Sequence, residues 1–320
     1  MRYLTVNAGS TSMKVSLLDG DDTVARYDSL DDVVAAGERV DAVLHRLVHG
    51  GDRSAPVVVD DAIEEELRAL VELAPLHQPP ALDALVRCRA AWPDVPHVAC
   101  FDTAFHATIP DAARTYALPA ELRRQVRAYG FHGLSHAWAV ARVGELAPDA
   151  RRVVVAHLGG GQSLCAALDG RSVATTMGFT PLDGLVMATR SGSIDPGAVL
   201  WLAGRVDGLA DVLEHESGLL GLSGTADMRE LLDRDDDEAR LALDVYLHRL
   251  VWLLGGCVAT LEGLDALVFT GGIGEHAGRL RDLVCARLGW LGPSVQTFVV
   301  EAREDLQMVR DAAIVLTGTS

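Results

Sequence analysis

The chain has 320 residues, of which 49% are hydrophobic, so it holds enough apolar material for two ordinary domains or one large one. Its formal net charge is −17, which disfavours broad contact with nucleic acid or an anionic membrane, and neither is expected as a partner. The five cysteines form no C-x-x-C pair and the N-terminus has no apolar signal core, so we expect reduced thiols and a cytoplasmic location.

Strands and helices are predicted to alternate along the chain. The first half reads as a hairpin at 3–20, strands at 23–28, 40–48 and 95–101, and helices at 64–73, 81–91 and 134–146. The second half reads as a hairpin at 153–170, helices near 197–206, 226–232, 238–262 and 277–288, and a strand at 266–270. The apolar run 245–261 contains His248 and Arg249, which favours a buried core helix over a membrane span. This alternation predicts an α/β fold.

The two hairpins resemble each other. Residues 3–20 and 153–170 both read as strand, glycine turn, strand and then Leu-Asp-Gly, with Gly9 aligned to Gly159 and Asp19 to Asp169. This similarity predicts a duplicated fold, in which each half begins with a hairpin whose glycine turn carries few side chains. Coincidence between two ordinary hairpins is the alternative.

Three segments are rich in glycine: NAGSTS from Asn7, HLGGGQS from His157 and TGGIGE from Thr270. The third follows a strand and opens a helix, an arrangement that places an anion at a helix N-terminus. It is neither a Walker A loop nor a dinucleotide fingerprint. Each segment alone reads as a plain turn, but three of them, each after an apolar strand, predict a nucleotide cleft between the two halves.

Several charged side chains have both a functional and a structural interpretation. Lys14 points either to solvent or to phosphate, and Arg46 and Arg190 either grip an anion by two-point contacts or form structural ion pairs. Asp102 ends an apolar strand, where it either serves the chemistry or caps the next turn. Asp227 reads as a helix start.

The spacing of the histidines suggests a zinc site as an alternative to a nucleotide site. His132 and His136 are four residues apart, and with His157 they would make a zinc site. Because His132 lies between two glycines, a turn is the better prediction than a helix. His132 is then a candidate donor to a transferring phosphoryl group.

Nine stretches in order resemble the acetate kinase family, within the superfamily of sugar kinases and actin-like ATPases. They are VNAGSTSMK, HRLVHGG, APLHQPP, FDTAFHATIP, YGFHGLSH, HLGGGQS, GFTPLDGLVMATRSGSIDPG, SGLLGLSGTADMR and FTGGIGEH. The resemblance implies the duplicated α/β actin-like ATPase fold, with a nucleotide cleft between two domains. The domains would be 1–104, with 305–320 packing back on it, and 105–304.

The resemblance also implies an activity, namely reversible transfer of a phosphoryl group from ATP to acetate with Mg²⁺ or Mn²⁺, by a homodimer formed through the C-terminal half. A propionate-preferring or a pyrophosphate-using acyl kinase is the alternative within the family. A metal-dependent hydrolase built on the three histidines and a non-catalytic nucleotide sensor are alternatives outside it.

Site residues follow from the matched motifs as implications of the resemblance. The catalytic residues would be Arg46, Asp102, His132 and Arg190, with His77 as a further active-site histidine. The pocket for the methyl group would be Val48, Leu76, Phe131 and Pro181. The nucleotide and phosphate positions would be Asn7, Lys14, His157, Gly159, Gly160, Gly161, Asp227, Met228, Arg229, Gly271, Gly272, Ile273 and Gly274. Asn7 and Glu304 would serve the metal.

The sequence departs from the family pattern at three positions. Gly160 stands where a phosphate-contacting Asn is usual, Ser193 where Asp is usual, and His276 where Asn is usual. The chain is also shortened between Asp19 and Arg46 and between Pro293 and Glu301. These departures predict weaker phosphate binding, although the main catalytic set is complete.

Overall fold

A computed structural model of the protein describes residues 1–8, 13–75 and 77–317, so Gly9 of the first glycine turn and Leu76 lie outside the described residues. In chain order the strands are β1 (Arg2–Ala8), β2 (Met13–Asp19), β3 (Asp22–Tyr27), β4 (Ala42–Leu47), β5 (Val57–Val58), β6 (His97–Phe101), β7 (Arg152–Leu158), β8 (Gln162–Leu168), β9 (Arg171–Thr175), β10 (Ala266–Thr270) and β11 (Gln296–Val299).

The α-helices are α1 (Leu30–Ala35), α2 (Asp61–Ala69), α3 (Gln78–Ala91), α4 (Asp111–Arg114), α5 (Ala120–Arg123), α6 (Gly133–Leu146), α7 (Pro196–Ala203), α8 (Leu209–His215), α9 (Gly218–Ser223), α10 (Met228–Asp233), α11 (Asp237–Thr260), α12 (Gly271–His276), α13 (Gly278–Arg287) and α14 (Glu304–Leu316). Short 3-10 helices lie at Leu70–Leu73, Ala104–Thr108 and Gly289–Leu291.

The chain packs as two compact units. Unit 1 comprises Met1–Ala107, Phe131–Trp138 and the residues from Arg303 onward, and unit 2 comprises Thr108–Gly130 and Ala139–Ala302. These units are groups of mutually packed residues, and packing does not establish which segments fold on their own. The domain boundaries given above therefore stay a prediction.

The described strands of unit 1 form a six-stranded sheet in the order β3-β2-β1-β4-β6-β5. β1, β2 and β3 pair antiparallel, whereas β4 is parallel to both β1 and β6. Side chains alternate between the faces of a strand. Leu4 and Val6 of β1 pack in the core that α3 covers. Asn7 therefore points to the other face, where α14 packs and the Cys100 thiol meets the Met308 carbonyl.

The described strands of unit 2 form a five-stranded sheet in the order β11-β10-β7-β8-β9. β7, β8 and β9 pair antiparallel, and β10 is parallel to β7 and β11. The long helix α11 covers this sheet with a fully buried stripe that includes Tyr246, Leu250 and Leu254. The side chains of that stripe pack with Phe269 and Leu267 of β10 and form the hydrophobic core of the unit.

The two sheets repeat one design, so the predicted duplication is confirmed. Each begins with a three-stranded antiparallel meander and adds parallel strands on the side of its first strand. Each meander also carries a register shift between its second and third strands, after Leu17 in unit 1 and after Ala166 in unit 2. Matching irregularities of this kind are typical of conserved design features rather than of coincidence.

Two sequence-based predictions about helices are settled by these elements. The helix predicted at 134–146 is confirmed, because α6 runs from Gly133 to Leu146. Among the described residues, α11 is long and apolar enough to cross a membrane by length and composition. Its buried stripe shows that it serves as the core helix predicted for 245–261.

Candidate active site

Three polar side chains meet at the carboxyl ends of the parallel strands of unit 1. Asn7 lies near the end of β1, Arg46 near the end of β4, and Asp102 directly after β6. These strands are adjacent and in parallel register, so their ends meet at one edge of the sheet. Alternation puts all three side chains on the face that α14 covers. Sheet ends of this kind are where α/β folds place their chemistry.

The Arg46 guanidinium links this cluster. Its Nε lies 3.1 Å from both carboxylate oxygens of Asp102, and its Nη2 donates to Oδ2 of Asp102 at 2.6 Å. Its Nη1 donates to Oδ1 of Asn7 at 2.9 Å. The structural ion pair that the sequence left open is thus present. Three of the five guanidinium N–H groups are used here, so the pairing is compatible with an anion contact as well.

Glu304, the first residue of α14, completes the cluster. Its Oε2 accepts from the Asn7 amide nitrogen at 2.7 Å and lies 3.8 Å from Nη1 of Arg46. Sequence reasoning reached this residue only through the family resemblance. Contact between residues 297 positions apart in the chain leaves no local pattern.

Burial and neighbouring charges shift the pKa values of Arg46 and Asp102 in opposite directions. Burial acts to lower the pKa of Arg46, but the charges of Asp102 and Glu304 outweigh it and raise that pKa above its ordinary value. Burial raises the pKa of the Asp102 carboxyl, and the Arg46 guanidinium acts against that rise. Loss of either partner would leave a charge buried without compensation, which makes the pair interdependent.

The donor set of this cluster fits a hard divalent cation. Glu304 and Asp102 offer carboxylate oxygens, and Mg²⁺ is typically held by one or two carboxylates together with water and substrate phosphates. Asn7 uses its Oδ1 for Arg46 and its amide nitrogen for Glu304, so in this arrangement it orients Glu304. A direct contact between Asn7 and a metal stays a prediction.

Within the described residues, no group of three or more His, Cys, Asp or Glu is placed to hold a metal ion. The zinc hydrolase built on His132, His136 and His157 therefore gains no support from the geometry. His132 instead precedes α6 with a φ of 58°, the left-handed conformation that non-glycine residues rarely adopt. The prediction of a turn rather than a helix at His132 is confirmed.

The His132 turn is docked directly on Asp102. The Gly133 N–H donates to the Asp102 carbonyl at 2.9 Å, and a Cβ at Gly133 would lie 2.1 Å from that oxygen. On the other side, Nε2 of the buried His106 lies 3.0 Å from the Phe131 carbonyl. Burial lowers the pKa of His106 to about 4, so the neutral ring donates this bond at ordinary pH. His106 was missed by sequence reasoning, because a single buried histidine in a motif does not reveal its partner.

The structure describes the pocket residues in part. Val48 and Phe131 are buried in unit 1, Pro181 is buried in unit 2, and Leu76 lies outside the described residues. His77 is the N-cap residue of α3, without a side-chain cap. Lys14 is exposed and lies directly opposite Asn7 in the antiparallel pair of β1 and β2, so the two side chains share one face of the sheet. A contact between Lys14 and phosphate stays a prediction.

In unit 2 the two described glycine turns follow paired parallel strands. His157 of β7 pairs with Thr270 of β10, so both turns start at the same level of the sheet. Gly271 opens α12 with a φ of 77°, and a Cβ there would lie 2.8 Å from the Leu158 carbonyl oxygen. Glycine is therefore required at Gly271. The helix predicted to follow the third turn is confirmed, with Gly272, Ile273 and Gly274 in its first turn.

The Arg190 loop is tied to its surroundings within unit 2. The Ala188 N–H donates to the Gly160 carbonyl at 3.3 Å, so the arginine loop touches the second glycine turn. Nε of Arg190 lies 3.0 Å from Oε2 of Glu214 on α8. Burial lowers the pKa of Arg190, and the charge of Glu214 offsets part of that effect. Sequence reasoning missed Glu214, because nothing in its local sequence marks it as the partner of an arginine 24 positions away.

The remaining nucleotide positions lie near the surface. The Asp227 side chain accepts from the Arg229 N–H at 2.8 Å and caps α10, and the two side chains form an ion pair at 3.2 Å. The prediction that Asp227 starts a helix is confirmed, since Asp227 is the N-cap residue of α10. Met228, the first residue of that helix, is buried. A nucleotide contact at these positions stays a prediction.

Comparison with known proteins identifies the family. The model of the Acetokinase family matches residues 24–314. The chain belongs to the acetokinase family. An acetate kinase from Rhodopseudomonas palustris is 48% identical over 304 residues, which cover 91% of this chain and 76% of that relative. The chain thus spans about three quarters of the relative's length.

Solved structures of a propionate kinase and an acetate kinase have the same fold as this chain. A propionate kinase from Francisella tularensis has a TM-score of 0.91 at 32% identity, covering 97% of this chain and 98% of its own. An acetate kinase from Entamoeba histolytica has a TM-score of 0.91 at 28% identity, covering 99% and 100%. A sugar-binding ROK family protein from Streptococcus pneumoniae, with a TM-score of 0.52 at 10% identity and coverage of 100% of both chains, shares the fold alone. As a member of this family, the chain is a phosphotransferase that acts on a carboxyl group.

Proposed function

We propose that the protein transfers the γ-phosphoryl group of ATP reversibly to acetate, giving acetyl phosphate and ADP. The observation that carries this proposal is the Asn7–Arg46–Asp102–Glu304 cluster at the carboxyl ends of the parallel strands, in a chain of the acetokinase family. A carboxylate oxygen of acetate attacks the γ-phosphorus as the bond to the β,γ-bridging oxygen breaks. No proton transfer and no covalent protein intermediate is required.

Repulsion between two anions is the main barrier to this reaction. The residues of the chain lower it by positioning and by charge, which supply most of the catalysis in phosphoryl transfer. In unit 1, Arg46 keeps positive charge beside Asp102, and the backbone N–H of His132 donates to the same carboxylate. The resemblance assigns Arg190 and the glycine turns of unit 2 to the same reaction.

Mg²⁺ or Mn²⁺ is proposed as the metal, with Glu304 and Asp102 as the residues that would hold it and Asn7 as the residue that orients Glu304. When bound, the metal would neutralise phosphate charge. The fit rests on oxygen donors alone, the ligands that Mg²⁺ prefers.

Trapping of acyl phosphate tests the proposal. Purified protein with ATP, Mg²⁺ and acids of one to four carbons should give a hydroxylamine-reactive product, greatest with acetate. Arg190→Ala should lower kcat/KM by about 100-fold or more, as expected for loss of a charged donor to the reacting groups. Absence of product with every acid would disprove the function.

Propionate is a second candidate substrate. The propionate kinase from Francisella tularensis is 32% identical to this chain. An apolar pocket discriminates a single methylene by only about 1–3 kcal/mol. The same acid series ranks the two substrates, and replacing ATP by pyrophosphate tests the remaining alternative.

A homodimer and a cytoplasmic location are proposed as well. The homodimer rests on the family resemblance. The apolar side chains of Leu200 and Trp201 on α7 are 77% and 59% exposed, and they are candidates for a buried contact between copies. Light scattering after gel filtration measures the mass, and cell fractionation measures the location.

A further inference from the structure

Gln78 is the first residue of α3, and its side chain is fully buried. Both the oxygen and the nitrogen of its side-chain amide form hydrogen bonds with the backbone of one residue, His49. Its Oε1 accepts from the His49 N–H at 3.2 Å, and its Nε2 donates to the His49 carbonyl at 3.1 Å. A neighbouring antiparallel strand would make the same pair of bonds. Gln78 thus takes over strand pairing just beyond the end of β4 at Leu47.

The next residue is anchored from a different element. The Gly50 N–H donates to the Thr103 hydroxyl at 3.1 Å, and Thr103 follows Asp102 at the end of β6. A Cβ at Gly50 would lie 2.5 Å from the Phe101 ring. The backbone of His49 and Gly50 is therefore held on one side by α3 and pressed against the end of β6 on the other.

These anchors adjoin residues that the family resemblance places in the acyl pocket or elsewhere in the active site. Val48 directly precedes His49, and His77 directly precedes Gln78. The His49 ring meets the Phe131 ring edge-on, with centroids 5.9 Å apart. One buried amide thus connects the turn of Val48, the start of the helix after His77 and, through His49, the Phe131 ring.

We propose that Gln78 is a positioning residue that sets the size of the acyl pocket and thereby the selectivity for acid chain length. This proposal rests on the proposed function. A pocket wall rejects an extra methylene only if it cannot give way, and well-packed interiors resist displacement because their contacts are close on every side. Without the two bonds to Gln78, the Val48 turn loses its hydrogen bonds to α3 and can yield more readily to a larger acid.

The test is Gln78→Met, which keeps the length of the side chain and removes both hydrogen bonds. Acyl phosphate formation from acetate, propionate and butyrate is measured for both proteins, together with the KM for ATP. The propionate-to-acetate ratio of kcat/KM should rise about five- to tenfold, part of the 10–200-fold that one methylene can carry in a pocket. The KM for ATP should stay within about twofold, because the hydrogen bonds of Gln78 go to His49, which is not among the proposed nucleotide positions.

Two further variants keep the test decisive. Leu85→Ala removes a fully buried core side chain from the same helix, and it should lower stability without shifting the ratio. Thr103→Val removes the other anchor with little change in volume, and it should shift the ratio in the same direction. An unchanged ratio in both Gln78→Met and Thr103→Val would overturn the positioning role. If the unmodified protein makes no acyl phosphate from any acid, the proposed function falls and this inference with it.

Discussion

Local contacts explain the departure from the family pattern at Ser193 but not the one at Gly160. Ser193 donates its hydroxyl to Oδ1 of Asp183 at 2.5 Å and accepts from the Gly184 N–H at 3.0 Å. An Asp at this position would face the carboxylate of Asp183, and like charges at that distance repel. A neutral serine at 193 therefore avoids this repulsion and donates a hydrogen bond to Asp183 instead. Gly160, in contrast, has open space around the position of a Cβ, so nothing in the fold demands glycine there.

The open space at Gly160 leads to a prediction. Gly160→Asn should lower the KM for ATP about three- to tenfold, because a side-chain amide that bonds a charged phosphate contributes about 1 kcal/mol or somewhat more. Steady-state kinetics at saturating acetate measure the change. Gly204→Asn, at another position with open space, is the matched control and should leave the KM for ATP unchanged. An equal response of the two variants would contradict a phosphate contact at 160.

Gly133 shows the opposite situation. Gly133→Ala would bring a Cβ within 2.1 Å of the Asp102 carbonyl, so the His132 turn must move away from Asp102. We expect a loss of about 2–4 kcal/mol in the free energy of unfolding and a large fall in kcat. Urea unfolding and the acyl phosphate assay measure both effects.

Gly144→Ala is the control for Gly133→Ala on the same helix. A Cβ at Gly144 meets nothing within 4 Å, so alanine should raise stability by about 0.5–1 kcal/mol through helix propensity. Wild-type stability in Gly133→Ala would show that the turn is not docked as tightly as the distance implies.

At the scale of elements, α14 joins the sheet of unit 1 and the metal-binding candidate Glu304. It also carries the half-buried Asp311, whose carboxyl accepts from the Gln307 side chain at 2.7 Å. Burial raises the pKa of Asp311 to about 6, with the Gln307 hydrogen bond acting in the other direction. The Cys100 thiol on β6 faces the same region, and burial followed by the charge of Asp311 raises its pKa.

The raised pKa of Asp311 predicts a pH dependence of stability. The unfolded carboxyl has a pKa near 3.9, so the folded state binds more protons between about pH 4 and pH 6, and stability falls as the pH rises through that window. Asp311→Asn keeps the acceptor for Gln307 without the charge. It should raise the free energy of unfolding at pH 7.5 by about 1–3 kcal/mol and have little effect at pH 4.

Thermal and urea unfolding at both pH values test the Asp311 prediction. Asp94→Asn, on the exposed turn before β6, is the control and should change stability by no more than about 0.5 kcal/mol. A gain from Asp311→Asn that is equal at the two pH values would show that ionisation is not its cause.

At the scale of the whole molecule, the net charge of −17 is the dominant property. Self-repulsion of this size destabilises the compact state, and salt screens it because the Debye length shrinks to about 3 Å at 1 M ionic strength. Raising NaCl from about 0.02 to 0.5 M should therefore raise Tm by a few degrees. Calorimetry in equimolar NaCl and KCl separates screening, which is equal for both salts, from binding of one cation. A Tm that falls with salt would show that exposed ion pairs such as Arg229–Asp227 outweigh the repulsion.

The amino-acid sequence alone determined the class of fold, its duplication and most of the polar residues of the site. Periodicity locates strands such as 266–270, which the structure reproduces at the same residues, because alternation and apolar runs are local properties. Short elements such as β11 and α8 were missed, because a few residues carry too little local signal. The motifs from Asn7 to Glu304 marked the site through the family resemblance rather than through any spacing.

Tertiary structure alone decided which partners those residues have. The hydrogen bonds of Arg46 to Asp102, of His106 to Phe131 and of Gln78 to His49 join segments far apart in the chain. The ion pair of Arg190 with Glu214 likewise depends on where α8 packs. Such contacts depend on the packing of strands and helices that are distant in sequence, and local patterns carry no information about it. That packing makes Arg46 a paired group, Gly133 indispensable and Gly160 replaceable.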